Sequence, residues 1–505
     1  MELIRLMVFW IVLSLSLLAN AQTQKEYLTV VDRISLQDLR EAMIRSGDHG
    51  VNAKSYWSDA MEATYLQDSG NPNLKAQANL NFLRLLRDVS SGVVDPALVG
   101  VDVKLTRKPF LTVKELEEKL VVAASNPSIL LEALSPQSPQ YLALRDSLRK
   151  IDRICQAGEW GPLPKVKKTL KLGSKDPVLI PLKTRMSQLG YPMNNLDDVF
   201  DDKVFAAVND IQWNLRFKPD SKISPGGKTW KYLNVSCQDR MRQVRLDMEK
   251  LRWFPQHFED RYIFVNLAMS YFSLVDKTGG SLYTMSFRTI NGRPERKSPT
   301  MKDKIVYLVI NPFWVVPPTI FREDKVEEIK NLWPWEIRQY FDRHNYEVWN
   351  KSFTQKLDPA SIDWYNMDPN QDANIYIRQR PHRMNALGSL KFMMTNSYAI
   401  YLHDTNQREL FAEPHRLLSS GCIRVEKPVD LAEYLMRGTA WDRRTIERYM
   451  AKPGEVLENE TRVQLKQHMP VYLVFLTSQQ SSDGVLRFAE DSYKQGPRLL
   501  RLGAW

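Results

Sequence analysis

The sequence predicts a multidomain α+β chain: a β-rich domain, a helical scaffold domain, and a small three-helix module inserted into the scaffold. Three observations lead there. At 505 residues the chain exceeds what one hydrophobic core ordinarily serves. Its apolar residues recur at helical spacing up to about residue 256, and from Tyr262 onward the period changes to two. Blocks rich in Gly, Pro and Lys, such as GEWGPLPKVKKTLKLGSKDP, punctuate the chain between these regimes.

Residues 1–21, MELIRLMVFWIVLSLSLLANA, have the layout of a signal peptide. One arginine precedes an apolar run from Leu6 to Leu18, and the small residues Ala19 and Ala21 flank a cut before Gln22. The run is short for a membrane span, which disfavours an uncleaved anchor, and no cysteine follows it as a lipoprotein would need. The expectation is export to the periplasm. Residues 22–172 then read as a helical scaffold, with Phe82, Leu85, Leu86 and Val89 on one stripe and Val113, Leu116 and Leu120 on another. Residues 173–235 form the small module: Leu182, Met186 and Leu189 line one helix, and Val204, Ala207, Val208 and Ile211 a second. The seam Met241, Val244, Met248 and Leu251 marks a helix at 236–256 that returns to the scaffold.

Residues 257–479 carry the strand-like runs YIFVNLAMSYFSLV, KIVYLVI, SYAIYLH and PVYLVFL. Between them, residues 320–380 hold a helix-like stretch, VEEIKNLWPWEIRQYF, and a polar loop. An insertion of that length in a β domain is expected to be a lid or binding loop. Residues 480–505 are a C-terminal segment.

With 43% hydrophobic and 26% charged residues the composition is that of a globular chain. The formal net charge of +11 suits an acidic polymer or an anionic surface, and export removes nucleic acid from the candidate partners. No cluster has zinc-ligand spacing, so neither a metal nor a cofactor is expected. Three cysteines in an oxidising compartment leave one unpaired. Cys155 and Cys237 lie in helical stretches and can pair, though sequence alone does not show that they meet. Cys422 is the thiol in a polar turn.

That turn lies in YLHDTNQRELFAEPHRLLSSGCIRV, residues 401–425. Strand alternation puts Tyr401 and His403 on one face, expected to point away from the core, with Ile400 and Leu402 on the other. An exposed Cys422 near His403 can pass its proton to the imidazole and attack a carbonyl. Gly421 permits a tight turn in which the amides of Gly421 and Cys422 aim at an oxyanion. His415 is a rival base, or a solvated loop residue.

The motifs HDT, SSGCIRV nineteen residues after His403, INPFWVVPPTI, NALGSLKF, GEWGPLP and LRWFP together resemble the L,D-transpeptidases of the YkuD type. The similarity is to their large periplasmic subfamily, with a helical scaffold, a peptidoglycan-binding-like module and a capping loop. VFDDKVFAAVNDIQWNLRF resembles that module, although Arg216-Phe217 and Asp220-Ser221 stand where the family has a Gly-Leu pair and an Asp-Gly turn.

The resemblance implies a YkuD-like catalytic domain in which Cys422 is the nucleophile and His403 its base, oriented by the main-chain carbonyl of Asp404. Ser420 and Gly421 join Cys422 in the oxyanion-binding turn, and Ser419 fills a small hydroxyl position. Arg424 holds a substrate carboxylate, lowers the thiol pKa, or makes a structural ion pair. Tyr401 and Trp314 wall the subsites, Trp314 being equally readable as a core residue, and Asn385 and Gly388 lie in the loop before the catalytic strand. Pro381-His382-Arg383-Met384, and Asn291-Gly292 with Ser298-Pro299, depart from the family pattern at the rims. The implied partners are peptidoglycan stem peptides, carbapenem-type inhibitors and other cell-wall synthesis proteins. The implied reaction is 3-to-3 crosslinking of a tetrapeptide donor with release of D-alanine. The same thioester resolved by water would make a carboxypeptidase or endopeptidase, and a non-catalytic wall-binding scaffold is the reading from outside enzymology.

Overall fold

The computed structural model describes residues 21–368 and 374–504. The expected leader, residues 1–21, lies outside the described residues except for Ala21. The chain divides into two compact units: one takes the described residues up to Leu215, with Pro219–Phe258 and the stretch from Leu476; the other takes Arg216–Lys218 and Glu259–Phe475.

The first unit is mostly helical, and its helices start where the sequence supplies caps. Ser35, Ser58, Asn71, Asn126, Ser138 and Ser236 each accept a hydrogen bond from a first-turn amide, and Thr112 with Glu115 closes a capping box. Phe82, Leu85, Leu86 and Val89 on helix Pro72–Ser91 are fully buried, packed with Leu116, Leu120, Leu130 and Leu131 in one core. Within the stretch read as a module, the helices are Leu179–Gln188, Asp202–Asn214 and the short Lys228–Leu233. Cys155 and Cys237 are bridged, with Cα atoms 6.1 Å apart, joining helix Pro139–Gln156 to helix Cys237–Arg252. Among the described residues no helix is long and apolar enough to cross a membrane.

The second unit is built on strands β1 (Arg261–Asn266), β2 (Tyr271–Asp276), β3 (Tyr283–Gly292), β4 (Met301–Ile310), β5 (Trp314–Val315), β6 (Tyr346–Asn350), β7 (Lys356–Leu357), β8 (Ile375–Gln379), β9 (Leu390–Met394), β10 (Leu402–His403), β11 (Leu417–Ser419), β12 (Ile423–Val425) and β13 (Thr461–Val474). Nine of them form one sheet in the order β11-β3-β12-β10-β9-β4-β13-β1-β2. A further β2–β3 pairing closes it on itself, which removes the open edge. Most pairs are antiparallel; β1–β13, β10–β12 and β11–β3 are parallel. Alternate residues fill the interior: Ile263, Leu308, Ile310, Phe392, Leu402 and Ile423 are fully buried.

Two expectations need correction. SYAIYLH is a strand only at Leu402–His403, because Ala399 adopts φ 55° and the Asn396 side chain bonds back to Ile400 at both its amide and its carbonyl. The insertion is also more than a helix and a polar loop. Pro334 splits the helical run into Val326–Lys330 and Ile337–Arg343, and β5, β8, β6 and β7 pair into a small sheet. These elements enclose their own core around Trp364, Phe341, Val348 and Ile377, against which Tyr401 and Cys422 pack.

Candidate active site

Parallel pairing of β10 with β12 sets His403 opposite Arg424 and Leu402 opposite Ile423. One step back, the Ile423 amide donates to the Tyr401 carbonyl at 3.1 Å, which brings Tyr401 beside Cys422. Antiparallel pairing of β9 with β10 sets Lys391 opposite His403. Since paired residues of neighbouring strands share a face, Cys422, Arg424, Tyr401, His403 and Lys391 gather on one side of the sheet. The rings of Tyr401 and His403 meet edge to face with centroids 5.7 Å apart.

The expectation that this face is open does not hold. His403 is 5% and Tyr401 8% exposed, and Cys422 is half-buried; Tyr401 and Cys422 pack against the insertion's apolar core. In this arrangement the sulfur donates to the Ala399 carbonyl at 3.4 Å. His403 Nδ1 sits 2.5 Å from the Asp404 carbonyl oxygen; a carbonyl only accepts, so the ring proton is on Nδ1 and Nε2 carries the lone pair.

Burial dominates the electrostatics. It raises the Cys422 thiol above its ordinary value, against the opposing pull of Tyr401, Lys391 and Arg424. It also lowers the imidazole of His403 to about 3, helped by the positive charges of Arg424 and Lys391 and opposed by the carbonyls of Asp404 and Leu387. The resting pair is therefore a thiol and a neutral imidazole.

The turn at residues 419–422 is held from several directions. Ser419 Oγ donates to the Cys422 carbonyl at 2.6 Å, and Ser298 Oγ donates to the Gly421 carbonyl at 2.7 Å. Arg296 reaches Ser420 Oγ at 3.1 Å. Gly421 has φ 118°, a backbone conformation that favours glycine even though a Cβ there would make only ordinary contact with Ile400. Its amide donates to Ser419 Oγ at 3.2 Å, so the expected aim of that amide at an oxyanion is not what this turn shows.

The residues expected at the substrate have the following partners within the chain. Asn385 is fully buried and spends its amide on the carbonyls of Pro312 and Arg380 and its oxygen on the Leu387 amide. Gly388 has φ 61°, and any Cβ would run into the Asp404 side chain. The Asp404 carboxylate accepts from the Ser389 amide at 2.9 Å and from Arg408 at 2.6 Å, which fixes the loop whose carbonyl orients His403. Ser419 is buried and serves the turn. Trp314 pairs through β5 with Gln379 of β8, and its ring lies by Tyr346 in the apolar cluster that includes Tyr401, so it is a core residue. Arg424 donates to Gln407 Oε1 at 2.9 Å rather than to a carboxylate.

Sequence reading missed Lys391, Arg296 and Ser298. Lys391 was findable: in LKFMM it and Met393 fall out of phase with the buried Leu390, Phe392 and Met394, on the face that carries Cys422. Nothing in the sequence shows that Arg296 and Ser298, on the β3–β4 hairpin, meet a turn over 120 residues away.

Residues 260–447 match the model of the YkuD family, the L,D-transpeptidase catalytic domain. The chain carries a YkuD L,D-transpeptidase catalytic domain. Residues 32–148 match the model of a scaffold domain. A Haemophilus influenzae protein provisionally named an L,D-transpeptidase is 32% identical over 242 residues, 47% of this chain and 44% of that protein, so the match spans less than half of the relative's length. Two solved structures are also similar. The L,D-transpeptidase (residues 123–326) from Xylanimonas cellulosilytica is 10% identical, with 62% of this chain and 100% of that one covered at a TM-score of 0.19. L,D-transpeptidase 3 from Mycobacterium tuberculosis is 10% identical, with 43% and 61% covered at 0.18. Overlays that loose add nothing to the YkuD assignment, which rests on the sequence match and on the closed sheet carrying Cys422 and His403.

Proposed function

We propose that the chain is an exported, cell-wall-associated L,D-transpeptidase that forms 3-to-3 peptidoglycan crosslinks through a thioester on Cys422. The observation that carries this is the seam of β10 and β12 inside a YkuD domain, where Cys422 and His403 share one face beneath a capping insertion.

Because the resting pair is neutral, the thiolate is not stored; it forms as the bond is made. Cys422 Sγ attacks the carbonyl carbon of the third residue of a tetrapeptide donor while its proton passes to His403 Nε2. The tetrahedral oxyanion collapses, the C–N bond breaks, and the imidazolium returns that proton to the departing D-alanine amine. The side-chain amine of an acceptor stem then attacks the thioester carbon, gives a proton to His403, and releases the sulfur, which recovers a proton. The Asp404 carbonyl holds the imidazole in the tautomer both halves require. A cap that keeps water from the thioester favours an amine as acceptor over hydrolysis. A carbapenem-type inhibitor is expected to acylate the same sulfur.

The test incubates the mature chain and its Cys422→Ala variant with purified disaccharide tetrapeptide and weighs the products. Crosslinked dimers lacking one D-alanine, absent with the variant, support transpeptidation. Tripeptide monomers alone replace it with hydrolysis, and unchanged substrate with both proteins ends the enzymatic reading.

A further inference from the structure

Two cations stand on the nucleophile's face without an anion to answer them. Lys391 is half-buried, its ammonium lies 4.0 Å from the centre of the Tyr401 ring, and its strand register places it opposite His403. Among the described residues it makes no ion pair and no hydrogen bond. The closest candidate for a counter-charge, Glu460, is already held by Arg462 at 2.7 Å and by the Phe313 amide at 3.2 Å. Arg424, on the same face, has only the neutral partners Gln407 and Thr405, and its Nε is buried with no hydrogen-bond partner.

A partly buried charge with no partner costs stability, and such groups are found where a ligand completes them. The resting thiol neutralises neither cation, and the sulfur carries negative charge only while its bond to the carbonyl carbon forms or breaks. A positive charge therefore remains beside the reacting carbonyl throughout the cycle.

We propose that Lys391, together with Arg424, binds the terminal carboxylate of the acyl donor, and so selects donors that end one residue beyond the scissile bond. This rests on the acyl-transfer function proposed above. In such a donor the carboxylate lies on the order of 3.5 Å of chain past the scissile carbonyl. A donor whose terminus is blocked, or extended by another residue, presents no charge there. Tyr401 positions Lys391 for this contact, because the ring face under the ammonium fixes its height above the sheet while leaving its hydrogens free for a carboxylate. Lys391 is thus a specificity-determining residue in the motif NALGSLKF, where the strand pairing, rather than the sequence distance, brings it to the nucleophile.

The experiment is a cycle of two proteins and two donors. The full mature chain and Lys391→Gln are assayed with disaccharide tetrapeptide bearing a free C-terminal carboxylate and with the same donor as its C-terminal amide. The expected result is a loss of about 10- to 100-fold in kcat/KM, carried mainly by KM, for Lys391→Gln on the carboxylate donor, with little change on the amide. Lys391→Arg, which keeps the charge, should restore the preference and serves as the check that folding is not at issue. Equal losses on both donors would overturn the inference in favour of a lysine that acts on the thiol alone, as would a wild-type chain with no preference between them. A wild-type chain that turns over neither donor removes the acyl-transfer function itself and the inference with it.

Discussion

Buried charge on helix Cys237–Arg252 is handled in the opposite way to the charge beside Cys422. On helix Cys237–Arg252, Asp247 and Lys250 form an ion pair at 2.8 Å, and Glu249 and Arg252 one at 2.6 Å, with all four side chains no more than 1% exposed. Each carboxylate is closed further: Asp247 accepts from the Ser478 amide and hydroxyl and from Thr477, and Glu249 accepts from the Val94 amide. Around Cys422, by contrast, neither Lys391 nor Arg424 is paired with a carboxylate; the ammonium of one lies over the Tyr401 ring and the guanidinium of the other bonds Gln407. A charge that is answered within the chain holds strands and helices in place. A charge left unanswered is a stability cost borne at a site that something else must complete.

The comparison is most easily broken by stability. Asp247→Ala takes the carboxylate from Lys250 and from three donors at Thr477 and Ser478, and a loss of about 3–5 kcal/mol in urea unfolding is expected. A loss below about 1 kcal/mol would mean that those pairs are ornamental. The next effect depends on pH. His49, in the helical unit, and His403 are both buried and both lowered by burial, to about 4 and about 3. The unfolded chain binds their protons near pH 6.5 and the folded chain does not, so stability falls as pH drops below that value and continues to fall toward each folded value. Each histidine should steepen the acid limb by up to about 1.4 kcal/mol per pH unit. His49→Gln and His403→Gln should each flatten the limb measured from pH 7 to pH 4, but only the second should abolish acyl transfer. Smaller again, and opposite in sign, is Lys391→Met. Removing an unpaired, half-buried cation should leave the unfolding midpoint unchanged or raise stability by about 1 kcal/mol while donor turnover falls. Marked destabilisation would give Lys391 an undetected structural partner.

These contrasts follow the line between what the sequence disclosed and what it hid. Helix seams such as Met241, Val244, Met248 and Leu251 were legible because burial of one stripe imposes its own period. Cys422 and His403 were legible because a Gly-containing turn and an imidazole carry chemistry in their residue types. The covering of that face was not: period two tells which side chains share a face but not whether a second layer lies on it, so His403 and Tyr401 read as open when both are buried. The roles of Asn385, Gly388 and Ser419 were also hidden, because a polar or small residue beside a catalytic strand looks the same whether it meets a substrate or a backbone amide. The cap's four-stranded sheet escaped because its strands are short and Pro334 lies inside a run of helical period.

The smallest expected effect on stability concerns the joint between cap and catalytic turn. Arg296 is 8% exposed at its side chain and holds Glu323 and Asp324, in the π-helical turn Phe321–Lys325 of the cap, at 2.6 Å each. The same guanidinium reaches Ser420 Oγ, two residues before Cys422. Its contacts lower the Asp324 carboxyl below the usual range, so the ion pair persists at neutral pH and weakens only in acid. Both acids are partly exposed, which limits what the pair adds to folding, and Arg296→Gln should cost no more than about 1 kcal/mol. Its effect on the turn should be larger in proportion. Without the guanidinium, Ser420 loses a donor and the cap keeps only the longer Arg293–Asp324 pair at 3.8 Å, so alkylation of the thiol by iodoacetamide should accelerate several-fold while acyl transfer slows. Arg296→Lys, which keeps charge but not the planar fork, should fall between the two. If alkylation and transfer both stay at wild-type rates in Arg296→Gln, the cap is held over the sulfur by its apolar core alone, and the answered charges of this molecule matter only for folding.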